Sequence, residues 1–376
     1  MKEAGYVIFA FLYRIFKFFP MKKNSAFLIM THDGGPEGNV AVTASYMKRF
    51  YHTQTTELLR KDTDFRGKGG LKRTFSFFFS KAFAMARAEY ILMDNAFLPM
   101  AYMKVRKETR VIQLWHGTGT IKKFGQDVNT GKLYELEKRA NSNISYVIVN
   151  SEATRELYAG CFSVPVERVK VLGLPRTDLL FSGKELLRRR GLFFKQYPDL
   201  MNKKLILYAP TFRDSEVDEP KLHLDLEMLV KELPKEYCLG LRLHPFVAER
   251  FHLEKEYEGK IIDFSSYYNL NTLLMATDLL ITDYSSIIFE YCVFRRPMIF
   301  FAYDLEEFSD HGRGFYRDYE EYVPGPVVKT TKEILTVIQE KDWRSEKLQE
   351  FFKDSYAYAD GKSAKRVVEF MMKDTQ

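Results

Sequence analysis

With 376 residues, 46% of them hydrophobic, the chain is too long for one ordinary core and suits two α/β domains of about 150 to 200 residues each. Its 57 Lys+Arg against 50 Asp+Glu leave a formal charge of +7, compatible with anionic lipid headgroups, phosphorylated substrates or nucleic acid and unable to choose among them. The three cysteines, Cys161, Cys238 and Cys292, are odd in number and lack metal-ligand spacing, which argues for a reduced, cytoplasmic compartment with all three as packing residues.

Residues 1–20 are aromatic and basic, with an uncharged run from Ala4 to Tyr13, about half a membrane span. Arg14 and Lys17 then interrupt the run and Phe18, Phe19 and Pro20 follow, which is not the form of a signal peptide. The segment reads as an amphipathic helix lying on a bilayer, Phe and Ile among the lipids and basic residues at the headgroups. The alternative is a helix packed on the protein's own core. Beyond it, short apolar runs alternate with helix-length segments, the pattern of parallel sheets with crossover helices. Strands are predicted at 26–30, near 55–59, and at 90–93, 111–115, 146–149 and 169–172. Between them, Gly67 to Arg87 mixes Lys68, Lys72, Arg73, Lys81 and Arg87 with five phenylalanines, a helix that either extends a membrane-binding face or covers a sheet. Residues 175–203, with Pro175, Gly183, a run of three arginines and Pro198, read as the interdomain connection. Five further strands follow at 205–209, 239–243, 261–264, 279–282 and 298–301, and a last helical stretch from Ser345 to Met372 is predicted to cross back over the first domain. The expected division is therefore a segment 1–20, domains at 21–180 and 200–345, and a returning helix at 346–376.

In open α/β sheets ligands bind beyond the carboxyl ends of strands, so the turns after these strands carry the candidates. His116, beside Gly117, Thr118 and Gly119 and shortly before Lys122, is the leading catalytic base; the alternative is a structural histidine bonded to a turn carbonyl. Thr211 and Arg213 follow the 205–209 strand and His244 follows the 239–243 strand, offering a hydroxyl, a guanidinium and an imidazole to a phosphate, with Arg213 able to grip a diphosphate bidentately. The alternative for Arg213 is an ion pair with Asp214. Asp283, Ser285 and Ser286 mark a strand that turns into a helix, where free N–H groups and hydroxyls suit a nucleotide diphosphate, and Glu290 lies four residues beyond Ser286 on the same face, facing ribose hydroxyls. Simple capping by the serines and a solvent-facing Glu290 are the plainer alternatives. Arg313 lies in a charged loop suited to substrate phosphate, and His32 and Asp33, after the first strand, are acceptor-side candidates with Thr118 and Lys122. No paired-Cys zinc spacing, His-Glu-x-x-His, Walker loop, Gly-x-Ser-x-Gly or strand-linked Gly-x-Gly-x-x-Gly is present, so hydrolase, kinase and dehydrogenase readings lose support, and no nucleic-acid motif is found.

Leu-Trp-His-Gly-Thr-Gly at 114–119, Tyr-Ala-Pro-Thr-Phe-Arg-Asp at 208–214, Arg-Leu-His-Pro at 242–245, Ile-Thr-Asp-Tyr-Ser-Ser at 281–286 and the later Pro-Gly-Pro together resemble the CDP-glycerol glycerophosphotransferases of teichoic acid biosynthesis. The resemblance implies a GT-B fold, two Rossmann-like domains facing a cleft, the first on the acceptor side and the second binding CDP-glycerol. It implies peripheral attachment to the cytoplasmic face of the membrane and transfer of glycerol phosphate to a prenyl-diphosphate-linked glycan with release of CMP. By motif, His116 takes the place of the base and His244 that of a residue near the donor diphosphate. The compact chain looks most like the primase that adds a first unit; a polymerase and a ribitol-phosphate transferase are the alternative enzymes, and a non-catalytic membrane-binding protein is the alternative outside the class. No cofactor is implied beyond a loosely bound divalent cation, and the oligomeric state is open.

Overall fold

The computed structural model describes residues 2–213, 221–251, 253–257, 259–311 and 314–373. Within them the chain forms two compact units. One comprises Met1–Gly119, Lys123–Leu179 and Asp354–Gln376; the other comprises Thr120–Lys122 and Leu180–Lys353.

The first unit holds a six-stranded sheet of β1 (Lys22–Met30), β2 (Gln54–Leu59), β3 (Ala88–Met93), β4 (Arg110–Gln113), β5 (Tyr146–Val149) and β6 (Val169–Val171), ordered β2-β1-β3-β4-β5-β6. The second holds β7 (Lys204–Ala209), β8 (Tyr237–Leu241), β9 (Ile261–Asp263), β10 (Leu279–Thr282), β11 (Met298–Phe301) and β12 (Val327–Val328), ordered β12-β11-β10-β7-β8-β9. Every pairing is parallel. Strands buried on both faces must be apolar throughout, which is why Leu205–Ala209 and Met298–Phe301 lack polar alternation and lie wholly inside. Each sheet reverses its direction of growth once, between β1 and β3 in the first unit and between β7 and β10 in the second. Such switch points open a crevice at the strand carboxyl ends.

Local sequence sets the helix starts. Ser182, Asp225, Asn269 and Thr330 each accept an N–H from the third residue on, Thr330 in a reciprocal capping box with Glu333, and each such cap contributes about 1 kcal/mol. In the Pro-Gly-Pro turn, a Cβ on Gly325 would lie 2.2 Å from the Met298 carbonyl oxygen, so only glycine lets Pro326 O accept the Phe300 N–H at 2.9 Å.

Two expectations change. The arginine run is not a connection but part of a helix, Gly183–Gln196, whose Arg189 and Arg190 bind Asn269, Thr272 and Asp278 inside the second unit. The final stretch is two helices, Ser345–Ser355 and Ser363–Lys373; the first reaches the second unit through Phe351 and Phe352, and the second packs on Asn39–Tyr51 of the first unit. The 67–87 region forms helix from Gly70 to Arg87 with a π-helical segment at Ser76–Lys81.

The N-terminal helix, Lys2–Phe16, has two apolar faces. Phe9, Ala10 and Tyr13 are buried, Phe9 against Phe77 and Phe97, while Val7, Ile8, Phe11, Ile15 and, just beyond the helix, Phe18 and Phe19 are exposed. The neighbouring 70–87 helix exposes Leu71, Phe75 and Phe79 in the same way. Among the described residues no helix is long and apolar enough to cross a membrane. All three cysteines are buried and free.

Candidate active site

Both switch points carry the candidate residues. In the first unit, Asn39 holds the turn after β4. Fully buried, it donates to Leu114 O and Trp115 O at 3.0 Å each, and its side-chain oxygen accepts the Arg176 N–H at 3.0 Å. Trp115 takes a φ of 55°, unusual for a bulky residue, and thereby ends the strand two residues before the predicted end and turns His116. The His116 ring then lies 2.8 Å from Asp94 O through Nδ1. A carbonyl only accepts, so Nδ1 carries the proton and Nε2 keeps a free lone pair. His116 is thus both a histidine bonded to a turn carbonyl and one with its other nitrogen available as a base. Burial, the neighbouring His32 and Arg176 push its pKa down to about 3, against the lesser upward pull of the Asp94 carbonyl, so the ring is neutral.

Asp94, directly after β3, ties the two turns together. Its buried carboxylate accepts the backbone N–H of Thr31 at 3.0 Å, His32 at 3.3 Å and Asp33 at 2.8 Å. Burial pushes its carboxyl above the ordinary range, opposed by these amides. The His32 ring stacks on His116, centroids 3.6 Å apart and planes 9° off parallel. Arg176 donates to His116 O and pairs with Asp33 Oδ2 at 3.3 Å. His32, Asp33 and His116 are therefore one cluster, with Thr118 buried nearby in sequence. Lys122 belongs to the second unit, where its ammonium lies over the Phe308 ring.

In the second unit the switch point is charged. Arg213, 6% exposed, donates from Nε to Asp304 at 2.6 Å, from Nη2 to Asp304 at 3.0 Å and from Nη1 to Thr211 O at 2.6 Å, and Nη2 pairs with Asp283 at 2.9 Å. Tyr284 donates to Asp304 at 2.9 Å and Tyr319 to the Asp283 carbonyl at 3.0 Å. Burial by itself lowers the guanidinium pKa; Asp304 and Asp283 more than offset this. Burial pushes Asp283 up against the pull of Arg213, while Asp304, less buried, is held below the ordinary carboxylate range by Arg213. With all three guanidinium nitrogens engaged, Arg213 has no free edge for a bidentate diphosphate grip. Its place as a phosphate clamp is corrected to that of a buried tie between β7, β10 and β11. Asp283, with Oδ1 accepting Thr211 N at 2.8 Å and Tyr284 N at 2.6 Å, is likewise framework.

The exposed groups here are different. His244 stacks on Phe212, centroids 4.6 Å apart, and its Nδ1 accepts the Phe246 N–H at 3.4 Å. That leaves Nε2 as an N–H donor, the opposite tautomer from His116 and the one suited to a phosphate oxygen. Arg242 points elsewhere, donating to Phe264 O and Tyr267 O. Ser285 is part-buried and accepts the Ile287 N–H at 3.4 Å, Ser286 is exposed and makes no cap, and Glu290 is 8% exposed on the inner side of the helix, against the solvent-facing alternative. Thr211, Phe212, Arg213, His223, His244 and Tyr303 line one pocket. Arg313 and Asp214 lie outside the described residues. Among the described residues no group of three or more His, Cys, Asp or Glu is placed to hold a metal ion.

Asn39, Asp94, Arg176 and Asp304 were missed in the sequence. Asp94, Arg176 and Asp304 each stand within a few residues of a predicted strand end, which is the signal that finds them; Asn39 has no such mark.

The whole chain is similar to several known proteins. A teichoic acid poly(ribitol-phosphate) polymerase of Bacillus spizizenii is 34% identical over 380 residues, covering 98% of this chain, and the chain spans 59% of that relative's length. A teichoic acid glycerol-phosphate primase of Bacillus subtilis is 31% identical over 297 residues, covering 77% of this chain and 74% of the relative. The solved Wall Teichoic Acid Polymerase TagF matches with a TM-score of 0.79 at 24% identity over 97% of this chain and 93% of that one, a likeness of fold that places the two parallel sheets in the GT-B class. The sequence profile of CDP-Glycerol:Poly(glycerophosphate) glycerophosphotransferase matches residues 11–373, and the chain belongs to that family.

Proposed function

We propose that this protein transfers an alditol phosphate from a CDP-alditol to a hydroxyl of a prenyl-diphosphate-linked glycan, releasing CMP, with CDP-glycerol as donor and a single addition as outcome. The observation that carries this is the neutral His116, with Nδ1 bound to Asp94 O and Nε2 free; the second unit separately holds an exposed imidazole that presents an N–H. The acceptor hydroxyl attacks the phosphorus that bears glycerol. Its proton passes to His116 Nε2, the bond from that phosphorus to the CMP oxygen breaks, and CMP leaves with the electron pair on its phosphate. His244 Nε2–H, Thr211, Ser285 and Ser286 surround the diphosphate, and His32 and Asp33 stand on the acceptor side. Catalysis of this kind rests on positioning and charge stabilisation and needs no protein nucleophile.

A second reading, CDP-ribitol as donor, is favoured by one fact: the relatives that cover 96% to 98% of this chain at 31% to 34% identity are ribitol-phosphate polymerases. The test is CMP release by purified protein from CDP-glycerol and from CDP-ribitol, with a short-chain prenyl-diphosphate disaccharide and product masses read by spectrometry. One glycerol-phosphate increment supports the proposal, a ladder makes the protein a polymerase, and turnover of CDP-ribitol alone moves the donor. Silence with both donors overturns the activity. His116→Ala is expected to lower turnover by about 10²- to 10⁴-fold, the range of a positioned base.

We also propose attachment to the cytoplasmic membrane face through the outward side of the N-terminal helix. Phe18, 89% exposed, and Phe11 face away from the core beside Arg14 and Lys17, an arrangement that suits an anionic lipid surface. Co-sedimentation with vesicles containing phosphatidylglycerol checks it: Phe11→Ser with Phe18→Ser should weaken binding at least tenfold, and unchanged binding rejects this face.

A further inference from the structure

We infer that His32 is a positioning residue for the base: its stacked ring fixes His116 in the orientation that leaves Nε2 free to take the proton. This rests on the reading of His116 as the base.

The geometry is specific. A ring bonded at one edge can still rock about that bond, and His116 is bonded at one edge only, by Nδ1 to Asp94 O. The face contact with His32, 3.6 Å between centroids and 9° from parallel, removes that freedom, with the Trp115 indole 3.9 Å away as a further neighbour. His32 is itself fixed from the same residue, since its backbone N–H meets the Asp94 carboxylate. One aspartate thus places both rings, the carbonyl holding one and the carboxylate the backbone of the other.

When His116 takes the acceptor's proton it becomes an imidazolium, a charge that His32 and Arg176 oppose, so the part of the stacked ring is to hold the base in place for the transfer. The other charged groups around the pair are Arg176, Asp33 and Asp94. Arg176 and Asp33 pair with each other, and Asp94 is turned to the backbone amides of 31–33. None of them takes the place of the ring on the His116 face.

The test uses the full chain with the better of the two CDP-alditol donors. His32→Ala should lower kcat by about 10²-fold, the effect of slight misplacement of a catalytic group, with KM for the donor changed less than about twofold. His32→Phe, which restores a flat ring against His116, should recover at least tenfold of that loss. If His32→Ala keeps wild-type kcat, or only raises KM for the acceptor, the positioning role is overturned. Should the alanine variant fail to fold, the phenylalanine variant decides: a kcat still about 10²-fold below the wild type rejects the inference. A readout independent of turnover separates this idea from the activity itself. In nitrogen-15 spectra of histidine-labelled protein, His116 should stay in the Nδ1–H form as pH is lowered to about 5 in the wild type and titrate at higher pH in His32→Ala; an unmoved titration rejects the contact. Normal turnover by His116→Gln would instead defeat the base assignment.

Discussion

The two switch points are built from opposite materials. In the first unit the turns after β1, β3 and β4 are tied by backbone amides and carbonyls around a stacked imidazole pair, with one partly exposed ion pair at the margin. In the second, the turns after β7, β10 and β11 are tied by a guanidinium between two carboxylates. The difference follows from the task proposed for each. A base must stay unprotonated, so strong charge is kept away from its free nitrogen, whereas a diphosphate site tolerates a buried cation in its frame and leaves a neutral N–H donor at the surface. The same contrast appears in tautomers, with His116 protonated on Nδ1 and His244 open at Nδ1 to an amide.

The contrast breaks first at Arg213. Arg213→Met would leave Asp283 and Asp304 without their shared cation, and removing one partner of a buried ion network costs about 3 to 5 kcal/mol. Urea unfolding should show that loss, with His116-side contacts undisturbed. A loss below about 1 kcal/mol would mean that apolar packing around Tyr284, Tyr303 and Phe308, not charge, holds the site. The first unit offers the matching change, Asp94→Asn. The amide keeps the shape but turns an N–H₂ group toward backbone donors, and an unmade buried hydrogen bond of this kind costs about 1 to 3 kcal/mol. Turnover should fall further than this stability loss explains, because both histidines move. A stable Asp94→Asn protein with wild-type turnover would show that the carboxylate does not position the pair.

Much of this frame is legible in the sequence, and the rest is hidden for identifiable reasons. Eleven of the twelve strands are predicted, most of them as apolar runs because parallel strands buried on both faces cannot alternate; Gln54–Leu59, polar and largely uncovered, is the weakest of these signals. Val327–Val328 is missed because it is two residues long and exists only by pairing with Phe300 and Phe301. Strand ends overshoot at Trp115 and Leu243, where apolar side chains continue after the backbone has left the sheet. His116 and His244 are found because strand ends are where ligands bind. Their tautomers are not, since each depends on one contact with backbone: Asp94 O from another strand and the Phe246 amide two residues on. Arg213 shows the same limit, for its partners lie far along the chain while the sequence offers the adjacent Asp214. Asn39 is least visible of all: it acts entirely through main-chain groups of two distant turns, which leave no pattern around it.

The smallest effect sharpens the comparison from the proton side. An ordinary histidine takes its proton near pH 6.5, and in the folded protein burial, His32 and Arg176 bring His116 down to about 3. As pH falls below 6.5 the unfolded chain gains a proton at this position that the folded chain refuses, so stability contributed by the neutral ring is present above pH 6.5 and is lost progressively toward pH 3. At pH 5.5 that loss amounts to about 1.4 kcal/mol relative to pH 7.5 or above. His116→Gln cannot titrate, so its unfolding free energy should decline less than the wild type's over the same two units by about that amount, whatever its absolute stability. Urea curves at pH 7.5 and 5.5 give the difference directly. Parallel declines would mean that His116 is charged in the fold at pH 5.5, which would remove the neutral base and with it the chemical contrast between the two sites.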